Sequence, residues 1–124
     1  MATLRKESST NHSNQLVLGA ACPVNDTLAR LSPRWKMQIL FCIQQGQNQF
    51  SSLKSQFPSL SDQVLGQRLR ELERELLVYS QPDGTMVPPQ IHYFTTPKGA
   101  ALLVIMGALY RWEQQYGAGG PPVQ

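Results

Sequence analysis

Leu65, Leu69, Leu72 and Leu76 recur at intervals of four, three and four residues. That spacing makes one face of an α-helix, and no strand can present it on a single side. Ser61 stands at the head of the run and suits an N-cap. Opposite the leucines lie Gln63, Gly66, Gln67, Arg70 and Arg74. The fold must therefore hide one face of this helix and offer a face of amides and guanidinium groups to whatever lies outside.

Start and stop signals order the rest of the chain around it. Residues 1 to 20 are polar, rich in Ser and Asn and without period, and read as a flexible arm. Cys22-Pro23 opens a short helix with Cys22 at the cap, because proline suits the first helical position. Ser32-Pro33 repeats that signal, and Trp35, Ile39, Cys42 and Ile43 follow at helical spacing until Gly46. Phe50 is expected in a short extended piece. Ser51 or Ser52 then caps a small helix holding Leu53 and Phe57, which Pro58 stops. Beyond the leucine stripe, Val78 and Tyr79 begin a strand, Pro82-Asp83-Gly84 makes a turn, and Ile91 to Thr95 return. The span between the strands is long for a hairpin and implies a loop with a mobile tip. Thr96-Pro97 caps a last helix over about residues 98 to 116, and residues 117 to 124 form a frayed tail.

The expected fold is mainly α with a small β-hairpin (α+β), one domain over residues 21–116. The last helix is apolar almost all round, from Ala100 to Leu109. A chain of 124 residues has no core large enough to surround such a helix, so burial between subunits is expected. Leu102, Leu103, Met106, Leu109 and Trp112 are its candidate interface residues, joined by the first helix.

Composition excludes several classes. Two cysteines, Cys22 and Cys42, cannot make a disulfide scaffold. With His12 and His92 they show no metal-ligand spacing, so neither metal nor cofactor is expected. No nucleophile–base grouping or phosphate-binding glycine loop is present, and an enzyme is not expected. The apolar stretch before Cys22 is too short for a secretory signal, and the run from Gly99 to Tyr110 is too short to span a bilayer. A soluble cytoplasmic protein is expected. The net charge of +3 is concentrated: residues 30 to 80 hold seven Lys and Arg against four Asp and Glu.

Helices followed by a hairpin make a winged helix-turn-helix, with the leucine-striped helix in the recognition position. Glutamine pairs with adenine and arginine with guanine through two hydrogen bonds each, so Gln63, Gln67 and Arg70 are candidate base readers. Ser51, Lys54, Ser61 and Arg68 complete the candidate DNA-binding set, on phosphate or at the helix start. Glu71, Glu73 and Glu75 belong to the half that leaves the groove. They equally suit a plain solvated helix, and the competing function is a winged-helix protein-interaction module with little or no DNA binding. Gly66 costs on the order of 1 kcal/mol relative to Ala, for close backbone approach to DNA or as tolerated drift. Lys36 and Arg34, near a helix start, suit phosphate contact or plain solvation.

The ordered set of motifs from about Cys22 to Trp112 resembles the HxlR-type transcriptional regulators, winged-helix proteins related to MarR. The resemblance runs through Cys22-Pro23-Val24, Leu31 to Lys36, Phe50 to Lys54, the dense stretch Leu60 to Glu73, and Val87 to Gly99. It implies a homodimer, built from the first and last helices, acting on double-stranded DNA at a near-palindromic operator. The family usually has arginine where this chain has Gln49 and Ser80, Ser or Thr at Gly66, and Asp-Gly at Glu75-Leu76. Two basic contacts are thus absent, and weaker DNA binding than the family norm is expected. Some relatives sense oxidants, quinones or aldehydes through the cysteine at Cys22, while others keep it as a structural cap. Cys22 is therefore a redox-sensing candidate, an electrophile or small-molecule inducer a candidate partner, and Cys42 a core thiol.

Overall fold

The computed structural model describes residues 22–85 and 87–117. Residues 1–21, Met86 and residues 118–124 lie outside the described residues, and with them the expected N-terminal arm and most of the expected tail. The chain divides into two units, one ending at Arg34 and the other beginning at Trp35.

The first unit contains helix α1, residues 22–31. Cys22 already lies within the helical run rather than capping it from outside. Thr27 Oγ1 donates to the Pro23 carbonyl at 3.0 Å, a bond back along the helix. Ser32 N donates to Leu28 O at 2.9 Å and closes the last turn.

In the second unit, α2 spans Lys36–Gln44, α3 Phe50–Gln56 and α4 Asp62–Arg74. Strands β1, Val78–Asp83, and β2, Gln90–Thr95, form an antiparallel hairpin, and α5 spans Pro97–Tyr116. The helix-helix-hairpin order read from the sequence is the order observed. The core is almost entirely aliphatic: Ile39, Leu40, Ile43, Leu53, Leu60, Leu65, Leu69, Leu72, Leu77 and Val78 are all buried. Fully burying such a side chain contributes about 1.5–3 kcal/mol, so the leucine face of α4 fixes the helix against α2.

Helix ends follow local chemistry. Ser61 caps α4, its Oγ accepting from Val64 N at 3.1 Å. Thr96 caps α5 in the same way through Gly99 N, with Pro97 first in the helix. At the end of α2, Gly46 takes φ 101°. Gly46 N bonds to Ile43 O and Gln47 N to Cys42 O. Leu76 does the same for α4 at φ 63°, with Leu76 N on Glu73 O and Leu77 N on Leu72 O. Both are Schellman closures, and in the second Leu77 and Leu72 supply the accompanying apolar contact.

That closure corrects the leucine stripe. Leu76 is 67% exposed, and Leu77 is the buried residue. A left-handed residue cannot extend a right-handed helix, so the periodicity breaks one residue before the apolar pattern does. The same physics moves the start of α2. Trp35 adopts φ 76°, and the helix begins only after it, at Lys36, rather than at Ser32-Pro33. Phe50 is not extended but opens α3. The extended residue is Gln49, which caps α3 without a side-chain bond, so neither Ser51 nor Ser52 does so. Pro82 and Asp83 are not in the turn; they pair with Ile91 and Gln90 as the end of β1.

Candidate nucleic-acid interface

Helix α4 has two faces of equal pitch. Leu65, Leu69 and Leu72 are buried, and Gln63, Gln67, Arg70 and Arg74 recur at four, three and four residues on the exposed side. The structure thus brings the expected base readers Gln63, Gln67 and Arg70 together. Gln67 Nε2 donates a long bond, 3.4 Å, to Glu71 Oε2. The Arg70 guanidinium lies back over Gly66, where a Cβ would stand 3.3 Å from its Nη1. Gly66 therefore leaves room for this arrangement of Arg70.

The glutamates toward the end of α4 are engaged by other parts of the domain. Lys36, fully buried on α2, ion-pairs with Glu75 at 2.7 Å and faces Glu71 at 3.8 Å. This corrects its sequence reading as a phosphate contact or a solvated lysine. Its alkyl stem is enclosed, and its ammonium joins α2 to the end of α4. Ser80 Oγ donates to Glu73 at 2.7 Å, fastening β1 to α4. The glutamates that would repel phosphate are thus engaged by the protein itself.

The other DNA-binding candidates are spread over neighbouring elements. Ser51 is exposed in the first turn of α3. The Lys54 ammonium donates to the Leu60 carbonyl and lies 3.5 Å from Asp62, spanning the turn between α3 and α4. Ser61 is exposed at the head of α4. Arg68 is only 16% exposed and pairs with Glu71 at 3.0 Å, so it is anchored against the helix.

The hairpin is tied to α3 by contacts that the sequence reading missed. Gln49 pairs with His92 through the backbone, and its Nε2 reaches Gln90 Oε1 at 2.6 Å and His92 Nε2 at 3.2 Å. Tyr79, Phe94 and His92 stack in sequence, with centroids 5.4 and 6.5 Å apart. Asp83 accepts from the Thr85 hydroxyl at 2.7 Å and its amide at 3.0 Å, and these bonds hold its carboxyl below the usual range. Burial pushes the Tyr93 phenol up, with Glu73 adding to the shift and Arg70 opposing it. Gln49 and Ser80, the positions where the resemblance leads one to expect arginine, thus serve as ties between the hairpin and the helices.

The residues proposed for a subunit contact divide. Leu102 and Leu103 pack against the core of their own chain. Met106 is half-buried and, with Leu103, Met37, Phe41, Cys42 and Phe57, lines a groove of about 570 Å³. Burial pushes the Cys42 thiol up, as suits a core-side cysteine, whereas Cys22 is exposed. Leu109 and Trp112 lie outward with Val104 and Ile105, all half or more exposed. With Ala101 and Ala108 they form one helical stripe on α5. Val104 and Ile105 were not singled out from the sequence, because a helix apolar on all sides does not show which side the chain covers.

The family model described as HxlR-like helix-turn-helix matches residues 30–120. The chain belongs to that family. It is a transcriptional regulator of the DNA-binding helix-turn-helix type, a winged helix-turn-helix in fold. It is 38% identical over 88 residues to the HTH-type transcriptional regulator YvaP of Bacillus subtilis, covering 69% of this chain and 79% of that one. It is 30% identical over 99 residues to an HTH-type transcriptional regulator of Methanothermobacter thermautotrophicus, covering 78% and 73%. The reduced form of the transcriptional regulator YodB from B. subtilis superposes with a TM-score of 0.70 at 27% identity, covering 78% of this chain and 94% of that one. The oxidised redox regulator HypR gives 0.67 at 27% identity, covering 82% and 100%. Among the described residues no helix is long and apolar enough to cross a membrane.

Proposed function

We propose that the protein is a sequence-specific regulator that binds a near-palindromic operator as a homodimer. The observation that carries this reading is the division of α4. Its buried leucines fix the helix, its glutamates are bound to Lys36 and Ser80, and Gln63, Gln67 and Arg70 remain together on the outer face. In this reading those three meet base edges in the major groove, and Ser51, Lys54, Ser61 and Arg68 line the adjoining phosphates. The hairpin, tied to α3 and α4, flanks the groove. The exposed stripe on α5 supports a subunit contact there, with α1, which carries exposed Val24 and Leu28, as the other contributor.

Selection from random duplexes followed by titration over a range of salt tests the proposal. A recovered inverted repeat with steeply salt-dependent affinity supports it. A folded protein with flat, weak binding belongs instead to the interaction-module reading.

Response to oxidants or electrophiles through Cys22 is a second element of the proposal. It rests on the exposure of Cys22 and on the likeness to YodB, solved in reduced and diamide-treated forms, and to HypR, named a redox regulator.

A further inference from the structure

Glu71 stands where the interior of the domain meets the outer face of α4. Its Oε1 is buried, accepts no hydrogen bond and faces the Lys36 ammonium at 3.8 Å. Its Oε2 takes Arg68 Nη1 at 3.0 Å and Gln67 Nε2 at 3.4 Å. A carboxylate only accepts, so the group of Gln67 that meets it is the NH2 and not the carbonyl. In that contact the Gln67 amide lies with its NH2 toward Glu71. One N–H is directed to Glu71, and the carbonyl oxygen and second N–H remain for a ligand. An oxygen and an N–H side by side are the pair that adenine's N6–H and N7 require.

We infer that Glu71 is a positioning residue for base recognition: by holding one N–H of Gln67, it presents the amide in the orientation that selects adenine at the base pair Gln67 faces. Glu71 itself touches no DNA. Behind it stands Lys36, 3.8 Å from Glu71 Oε1 and paired more closely, at 2.7 Å, with Glu75. Arg68, held on the same oxygen, screens the carboxylate from nearby phosphates. The inference rests on the proposed reading of α4 as the base-reading helix.

The experiment begins with the duplex selected by the wild-type protein. Affinities for it and for every single-base variant are compared among wild type, Gln67→Ala, Glu71→Ala, Glu71→Asp and the double variant Gln67→Ala/Glu71→Ala. Glu71→Asp keeps a negative charge near Lys36 but draws the carboxylate back from Gln67, so a melting curve separates folding from recognition. Gln67→Ala is expected to abolish an adenine preference at one base pair. Both Glu71 variants are expected to lower that same preference about fivefold or more. In the Gln67→Ala background, Glu71→Ala is expected to add nothing. In the free wild-type protein, the Gln67 side-chain amide protons should exchange with water more slowly than those of Gln63. Equal weakening on all sequences, an effect that persists without Gln67, or equal amide exchange overturns the inference. A wild-type protein that selects no sequence overturns the proposed function itself.

Discussion

Lys36 Nζ lies 2.7 Å from Glu75 Oε2, and the lysine is 1% exposed. The first residue of α2 thus grips the C-cap of α4, a contact that helps hold α4 against the domain. Removing one partner of such a pair leaves the other short of compensation, at a cost of about 3–5 kcal/mol when both are buried. Glu75 and Glu71 keep some contact with water, which places this case near the lower end. Lys36→Met is therefore expected to lower stability by about 3 kcal/mol, read from chemical denaturation. A loss below about 1 kcal/mol would show that the stem, rather than the charge, matters here.

Leu76 occupies at the end of α4 the left-handed place that Gly46 occupies at the end of α2. A left-handed conformation costs a side-chain-bearing residue roughly 1–2 kcal/mol, and glycine loses somewhat more backbone entropy on folding. Leu76 is also largely exposed, so little packing is lost with it. Leu76→Gly is expected to raise stability by about 0.5–1 kcal/mol, visible as a higher melting temperature. A lower one would mean that the Leu76 side chain is covered in the protein as it exists in solution.

The stripe of Val104, Ile105, Leu109 and Trp112 is expected to be covered by a second copy of the chain. Sedimentation of the wild-type protein should give a dimer at micromolar concentration, and Ile105→Glu should give a folded monomer or an aggregate. Because Leu103 packs on its own core, Leu103→Glu is expected to disrupt the fold itself. An unchanged dimer in Ile105→Glu would remove α5 from the contact.

The two thiols should differ in reactivity. Cys22 is exposed, while burial raises the Cys42 thiol above its ordinary range. At pH 7 less of Cys42 is thiolate, so alkylation should label Cys22 first. If Cys22 senses oxidants, diamide should weaken DNA binding by the wild type and leave Cys22→Ser unaffected. Preferential labelling of Cys42 would contradict the assignment.

Most of the architecture was legible from short-range signals. Ser61, Thr96-Pro97 and Gly46 mark helix boundaries because cap chemistry is local, and the leucine period of α4 survives intact through Leu72. What was hidden depends on partners distant in sequence. Nothing near Lys36 announces that Glu71 and Glu75 will enclose it, so a buried lysine reads as a surface one. Gln49 and Ser80 looked like losses of basic contacts, but they tie the hairpin to α3 and α4. Trp35 and Leu76 take left-handed conformations that propensity opposes, so the helix boundaries beside them were misplaced.

The central claim is that α4 reads bases with its glutamine and arginine face. The most direct measurement is the affinity of wild type and Arg70→Ala for the selected duplex and for a scrambled one, each from about 50 to 200 mM salt. The account predicts a steep fall in wild-type affinity with salt. It also predicts that Arg70→Ala loses about 1–3 kcal/mol on the selected duplex and far less on the scrambled one, with discrimination relaxed at one base pair. Equal losses on both duplexes, or affinities indifferent to salt, would contradict it.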